Sequence, residues 1–248
     1  MNRRMTRPAR TAASDGGYTL IEMLVAISVS TLLILSIGDY AANSIIGSNQ
    51  DYNKTLVLTN AKEAVGIVAR QVRLASAVAA SNSLDDTYAP YPGNPNSWSG
   101  QAGNGTSLIL EVPTKDTNGN IVYKNGSHAA VFNDEVIFYL DSSTKKLYKR
   151  VIAYPNSGLP SGTTNAATTT CPPAHATAGC PADADVVDDV ANLTTAYINN
   201  AGVVCTSSCD ITGTEAVQYT VTETRTINGK SYAGTYTTVA TMRNKNAL

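Results

Sequence analysis

The chain has 248 residues, of which 43% are hydrophobic and 15% charged, and its formal net charge is −1. This length holds one large domain or two small ones, and the composition is typical of a secreted globular protein rather than a disordered one. The first seventeen residues carry four arginines and Asp15, a charge of +3, so the remainder carries −4 and lacks the basic field that nucleic-acid binding needs.

Residues 1–17 form a polar leader that ends in Gly16-Gly17, and residues 18–37 form an apolar segment. At about 1.5 Å per residue this segment spans about 30 Å as a helix, which is the thickness of the hydrocarbon core of a bilayer. Glu22 is its single charged side chain, and an isolated ionisable group in a membrane helix usually has a function. Because a basic leader stays in the cytoplasm, the pattern predicts a single-pass membrane protein with an exported C-terminal part.

Residues 38–80 are predicted to continue this helix, because no proline lies between Pro8 and Pro90. Apolar side chains recur from residue 58 at alternating steps of three and four, which places them on one face of a helix. This stripe consists of Leu58, Ala61, Val65, Val68, Val72, Ala75 and Ala79. We therefore expect this part of the helix to pack on its own domain.

Residues 81–248 are predicted to form a β-rich domain that begins with a loop rich in Asn, Ser, Gly and Pro. Turn signals at Asn118-Gly119, at Asp141 and at Asn228-Gly229 each separate two strand-like segments and predict three hairpins. The predicted strands cover residues 108–112, 121–123, 135–140, 146–153, 193–198, 216–225 and 230–242. The fold class is therefore α+β, with a long N-terminal helix packed on a C-terminal antiparallel sheet.

An insertion rich in Ser, Thr, Pro and Ala covers residues 154–184 and contains Cys171 and Cys180. Cys205 and Cys209 follow as a second close pair. An even number of cysteines in an exported chain favours disulfides, and the short spacings favour the two local pairs. Four cysteines allow three pairings, and the sequence leaves the choice among them open.

Residues typical of catalytic sites are sparse in this sequence. Its two histidines, His128 and His175, lie in contexts rich in Gly, Ala and Pro, and no nucleophile elbow or phosphate-binding loop occurs. A metal site made by the cysteines with His175 is an alternative, but the cysteine spacings match no standard zinc pattern. We therefore expect no enzymatic activity, no metal and no cofactor.

The run GGYTLIEMLV at residues 16–25 resembles the N-terminus of type IV pilins and pseudopilins, although Phe is commoner in that family at the position of Tyr18. The resemblance implies that a prepilin peptidase cuts between Gly17 and Tyr18 and that the new amine of Tyr18 is methylated. It also implies that Glu22 guides assembly by pairing with the amine of the preceding subunit. The implied partners are other pilin or pseudopilin subunits and the inner-membrane assembly platform. The implied destination is a pilus or pseudopilus at the cell surface or in the periplasm.

Fainter motifs follow in the C-terminal part: VIFYL at 136–140, the Leu-x-x-Arg strand at 147–150, the block at 186–197, and Arg243-Asn244 near the end. Together they are similar to J-type minor pseudopilins and W-type minor pilins, and the insertion departs from that pattern. Members of this group are low-abundance subunits that prime or cap a filament at its tip, so the resemblance implies the same role here. The sequence does not choose between pilus and pseudopilus, because both use the same N-terminal motif.

Two other interpretations remain open from the sequence. Ser36-Ile37-Gly38 offers an ordinary signal-peptidase site that releases a soluble domain beginning at Asp39, although Glu22 inside the apolar core argues against it. Alternatively, the thirteen tyrosines and the aromatic loop at residues 88–98 form an adhesive surface of a pilus-associated binding module.

Overall fold

The computed structural model of the chain describes residues 17–90, 98–100, 103–104, 107–124, 131–206, 211 and 213–243. The chain divides into two compact units, residues 1–51 and residues 52–248. A single helix of 55 residues, α1 (Leu20–Leu74), begins in the first unit and ends in the second. The sequence-based prediction of one continuous helix is therefore confirmed.

In the first unit, the described chain is the N-terminal part of α1. Every side chain from residue 17 to residue 46 is exposed, including large apolar ones such as Leu20 and Ile34. By its length and composition, α1 is a helix that is able to cross a membrane. A helix that is apolar on all sides belongs in lipid or in a protein core, because water disfavours every one of its faces.

In the second unit, α1 is amphipathic and buries one face. The buried residues are Val57, Ala61, Ala64, Val65, Val68, Ala69 and Val72. The predicted stripe is confirmed in its middle, whereas Val57 rather than Leu58 occupies the first buried position. The predicted helix end at residue 80 is wrong. The helix ends at Leu74, and the amide of Ser76 donates to the carbonyl of Glu111 at 2.8 Å, which starts strand pairing in place of another helical turn.

The described strands of the second unit are all antiparallel to their neighbours within two sheets. In chain order they are β1 (Ala77–Ala79), β2 (Gly103–Asn104), β3 (Leu108–Pro113), β4 (Asn133–Asp141), β5 (Lys146–Ile152), β6 (Ala184–Val187), β7 (Val190–Asn199), β8 (Val204–Cys205), β9 (Thr214–Ile227) and β10 (Lys230–Thr241). The α+β class with antiparallel pairing is confirmed, but two sheets are present where one was expected.

The first sheet has the order β1-β3-β4-β5-β6. The predicted β4–β5 hairpin is confirmed, and Asp141 closes its turn by accepting hydrogen bonds from the amide and hydroxyl of Ser143. The predicted pairing of residues 108–112 with 121–123 is wrong, because β1 and β4 occupy both edges of β3. The turn at Gly119 exists, with a φ of 86°, but it closes only a small loop in which Ile121 bridges to Lys115.

The second sheet has the order β10-β9-β7-β2, and β8 also pairs with β7. The long β9–β10 hairpin is confirmed: Asn228 and Gly229 have φ values of 52° and 76°, the two positive angles that a two-residue hairpin turn of this kind requires. Gly234 of β10 lies against α1, where an added Cβ would come within 2.9 Å of the backbone nitrogen of Leu58.

One hydrophobic core joins α1 to both sheets. The buried helix face packs with Phe138 and Leu147 of the first sheet and with Val217 and Tyr219 of the second. The hydroxyl of Tyr219 donates to the carbonyl of Val65, so a strand side chain is also hydrogen-bonded to the helix backbone. The core therefore fixes α1 on the sheets through its buried residues between 57 and 72.

Candidate functional site

The start of α1 is a capping box formed by Thr19 and Glu22. Both the amide and the hydroxyl of Thr19 donate to Oε2 of Glu22, at 2.9 and 3.0 Å, and the amide of Glu22 donates to the Thr19 hydroxyl at 3.3 Å. The amide of Met23 donates to the Thr19 carbonyl at 3.2 Å, which makes Thr19 the N-cap. This capping role of Thr19 was not predicted from the sequence, although the Thr-x-x-Glu spacing is its known signal.

Gly17 and Tyr18 lie just ahead of the helix, in non-helical backbone. Tyr18 is 84% exposed, and Glu22 is exposed among the exposed apolar side chains of Leu20, Ile21 and Met23. Gly17, Tyr18 and Glu22, which were predicted as the processing and assembly site, therefore lie close together at the start of the helix. Of the two carboxylate oxygens of Glu22, Oε2 accepts hydrogen bonds and Oε1 accepts none from the described residues.

The hydroxyl groups along the apolar part of α1 bond to the helix itself. Ser28 donates to the carbonyl of Leu24, and Thr31 donates to that of Ile27, both at 2.7 Å. Ser36 makes the same kind of bond to the carbonyl three residues before it. These bonds satisfy the hydroxyl donors internally, so their presence is compatible with a lipid environment.

Cys171 and Cys180 form a disulfide, which is the local pairing that their spacing favours. Cys205 is disulfide-bonded, and Cys209 lies outside the described residues, as does His128. The ring of His175 stacks on another ring, that of Tyr88, at a centroid distance of 4.7 Å. In the parts of the chain that the structure describes, no group of three or more metal-ligating side chains occurs.

A buried ion-pair network on the first sheet was not visible in the sequence. Arg150 of β5 is 1% exposed, and its guanidinium binds Asp86 at 2.6 Å and Asp183 at 3.2 Å. Asp86 also accepts from the indole of Trp98 at 2.6 Å, and Asp183 accepts from the hydroxyl of Tyr139 at 2.7 Å. The network therefore joins the loop after β1, the strands β4 and β5, and the segment just before β6.

A second buried carboxylate lies where β9 meets α1. Glu223 is 1% exposed, and its Oε1 accepts a hydrogen bond from the side-chain amide of Asn60 at 3.2 Å. Its Oε2 is buried and has no hydrogen-bond partner among the residues that the structure describes. Burial raises the pKa of the Glu223 carboxyl, because removal from water disfavours the charged form.

The exposed, membrane-competent start of α1 and the α+β domain with its disulfide fit a membrane-anchored protein whose domain is exported. Residues 13–38 match the family model of the prokaryotic N-terminal methylation motif. This motif is the signature of type IV pilins and pseudopilins, which the N-terminal part of the chain therefore resembles. The motif implies processing by a prepilin peptidase and assembly with other pilin subunits. No curated protein matches the chain.

Proposed function

We propose that the chain is a minor pilin or pseudopilin that joins, and primes or tips, a type IV pilus or a type II secretion pseudopilus. The observation that carries the proposal is the match of residues 13–38 to the methylation motif at the start of a helix whose exposed apolar part continues into an α+β domain. The similarity of residues 136–150 to J-type pseudopilins and W-type pilins supports the minor, tip-located role.

The proposed processing site is the peptide bond between Gly17 and Tyr18. Both residues precede the helix, so this bond is not protected by helical hydrogen bonds. Glycine before the bond adds no side chain and lets the backbone adapt to a protease. The arginines of the leader hold it on the cytoplasmic side, and the Cys171–Cys180 disulfide supports export of the domain.

In the proposed assembly step, Glu22 pairs with the amine of the preceding subunit. Cleavage gives each subunit a cationic N-terminal amine, which is then methylated, and in this chain that amine belongs to Tyr18. Thr19 holds Oε2 of Glu22, whereas Oε1 is open to a donor from another chain. An unpaired carboxylate inside an apolar helix bundle costs several kcal/mol, and pairing offsets much of that cost. Axial registers that leave Glu22 unpaired are therefore disfavoured.

Mass spectrometry of the mature N-terminus tests the processing step. We expect the mature chain to begin at a methylated Tyr18, and Gly17→Leu to block the cut, because a bulky side chain then replaces the glycine before the bond. The equivalent change at Gly38 is the control and should leave processing intact. A mature chain that begins at Asp39 would mean ordinary signal-peptidase cleavage and would refute the proposal.

Incorporation into sheared filaments tests the assembly step. Glu22→Ala should still be processed but should be absent from filaments, or fail to initiate them, because the amine of its neighbour then lacks a counter-charge. Asp39→Ala is the matched control, since Asp39 is an exposed carboxylate on the same helix but outside the start of the motif. Equal incorporation of the two variants would contradict the role of Glu22.

Deletion of the gene distinguishes the two filament systems. Loss of surface pili with normal protein secretion assigns the chain to a type IV pilus. Loss of secretion with normal pili assigns it to a type II secretion pseudopilus. A strain that retains both processes contradicts the priming role, because a subunit needed for initiation cannot be removed without loss of the filament.

A further inference from the structure

A pocket of about 480 Å³ opens in the second unit beside the β4–β5 turn. This volume lies within the range of about 300–1,000 Å³ that is typical of small-ligand sites. Its aromatic and proline lining consists of Tyr88, Pro90, Trp98, Tyr139, Tyr148, Pro172 and Pro173. Four aromatic rings around one cavity form a surface suited to a flat, partly apolar ligand.

The buried ion-pair network holds two of these rings in place. Trp98 donates its indole N–H to Asp86, and Tyr139 donates its hydroxyl to Asp183. The two rings are in contact, at a centroid distance of 4.7 Å, and Arg150 binds both carboxylates. The aromatic wall is therefore fixed before any ligand arrives, which lowers the entropy cost of binding.

Other lining residues are held in place in a different way. Pro172 and Pro173 directly follow Cys171, whose disulfide to Cys180 closes the segment that carries them. Tyr88 stacks on the ring of His175 in the same segment, at 4.7 Å and 19° between planes. The insertion and the loop after β1 thus meet at the pocket, and each supplies part of its lining.

The polar groups of the pocket determine the chemistry of its ligand. Among the described residues, the lining contains no Lys, Arg or His, which disfavours an anion. Ser142 and the hydroxyl of Tyr148 make no hydrogen bond within the described residues, and Asp141 lies on the same rim. The N–H of Trp98 and the hydroxyl of Tyr139 are already used by buried carboxylates, so the pocket presents these rings without their donors.

We propose that this pocket binds a short neutral oligosaccharide. A pyranose ring offers an apolar C–H face that packs on the negatively polarised face of an aromatic ring. Its hydroxyl groups donate to Asp141 and exchange hydrogen bonds with Ser142 and Tyr148 at the rim. A proline-rich peptide fits less well, because peptide carbonyls require donors, and the indole N–H that usually supplies one is occupied here. The inference does not depend on filament assembly.

The fluorescence of Trp98 reports binding directly, because Trp98 is the single tryptophan of the chain and lines the pocket. The full chain is purified in an amine-oxide detergent, since detergents with sugar headgroups would compete. It is titrated to millimolar concentration with maltotriose, N,N′-diacetylchitobiose and lactose, and separately with a polyproline peptide. We expect saturable changes with at least one sugar. A response to chitobiose points to a cell-wall-type glycan, and a response to lactose points to a galactose-terminated surface glycan.

Two variants separate pocket binding from general effects. Tyr88→Ala removes one aromatic wall, and Ser142→Arg places a long side chain at the exposed rim without altering the core. Both should weaken sugar binding at least about tenfold. Tyr232→Ala, a half-buried tyrosine on β10, is the control and should bind as the unaltered chain does. The proposal is overturned if no sugar gives a saturable change, if polyproline binds and the sugars do not, or if both pocket variants bind normally.

Discussion

Replacing Arg150 by Met removes the cation of the buried network while keeping an unbranched apolar stem. Arg150 is 1% exposed, and Asp86 and Asp183 are both buried with it. Asp183 retains hydrogen bonds from Tyr139 and Thr170, but both carboxylates lose their counter-charge. Removal of one partner from a buried ion pair typically costs about 3–5 kcal/mol. We expect a loss of that size in the free energy of unfolding of the second unit.

Lys146→Met is the matched control for this prediction. Lys146 lies on the same strand and also pairs with two carboxylates, Asp185 at 2.6 Å and Asp188 at 2.7 Å. Its side chain is 33% exposed, so water and salt screen both pairs. We expect no measurable change in the stability of the second unit. The two variants differ mainly in burial, since the number of partners is the same.

Urea unfolding of the full chain in detergent measures both variants, with Trp98 fluorescence and circular dichroism as independent probes. With a slope of about 2 kcal/mol per M, the expected loss for Arg150→Met lowers the midpoint by about 2 M. Adding Asp86→Asn and Asp183→Asn to Arg150→Met should recover part of that loss, because the uncompensated charges are then gone. Equal midpoints for Arg150→Met and Lys146→Met would refute the claim that burial determines the cost.

Three further predictions concern the second unit. Glu223→Gln should become more stable relative to the unaltered chain as pH rises from about 4 to about 7. The pKa of Glu223 is raised in the folded state, so the stability that the protonated carboxyl contributes is present at low pH and is lost as pH rises through that pKa. Urea midpoints of both proteins at the two pH values check this. Gly234→Ala should cost about 1–3 kcal/mol through contact with the helix backbone, whereas Gly179→Ala, which meets nothing within 4 Å, should not, and thermal melts of the two variants compare them. Replacing Cys171 and Cys180 by Ser should cost about 2–3 kcal/mol, because the bridge closes a short loop in the unfolded chain between cysteines with a sequence separation of 9. Equal urea midpoints for this variant and the unaltered chain would contradict this.

Local signals in the sequence predicted the elements whose partners lie close in the chain. The absence of proline predicted one long helix, and the turns at Asp141 and Asn228-Gly229 predicted the β4–β5 and β9–β10 hairpins. The predicted partner of β3 was wrong because its actual partners, β1 and β4, lie about 20 to 30 residues away on either side. A distant partner also explains why the helix ends earlier than predicted. Ala77–Ala79 continue the helical spacing, but their pairing with β3 prevails over that preference.

In the candidate site, too, local signals were predicted from the sequence and distant contacts were not. The contiguous motif predicted Gly17, Tyr18 and Glu22. The capping role of Thr19 also has a local signal, the Thr-x-x-Glu spacing, and was predictable from it. The partners of Arg150 are separated from it by 64 and 33 residues, so no local pattern relates them. The sequence placed Arg150 in a strand motif but gave no sign that the strand buries a charge.

The two parts of α1 explain why the chain requires an apolar environment outside its own domain. Between residues 57 and 72, the apolar side chains occupy one face and the sheets cover them. Between residues 20 and 46, large apolar side chains point in every direction, and Leu20 and Ile34 remain 79% and 70% exposed. Burying each such side chain is worth roughly 1.5–3 kcal/mol, so water is an unfavourable environment for this segment as a whole. In the proposed assembly, a lipid bilayer first covers all of its faces, and a bundle of neighbouring helices covers them afterwards. Glu22 is the one charged side chain in that surface before residue 39, and in the proposed assembly the bundle supplies it with the cationic amine of another subunit. The proposed step from membrane to filament therefore adds a specific ion pair at no cost in apolar burial.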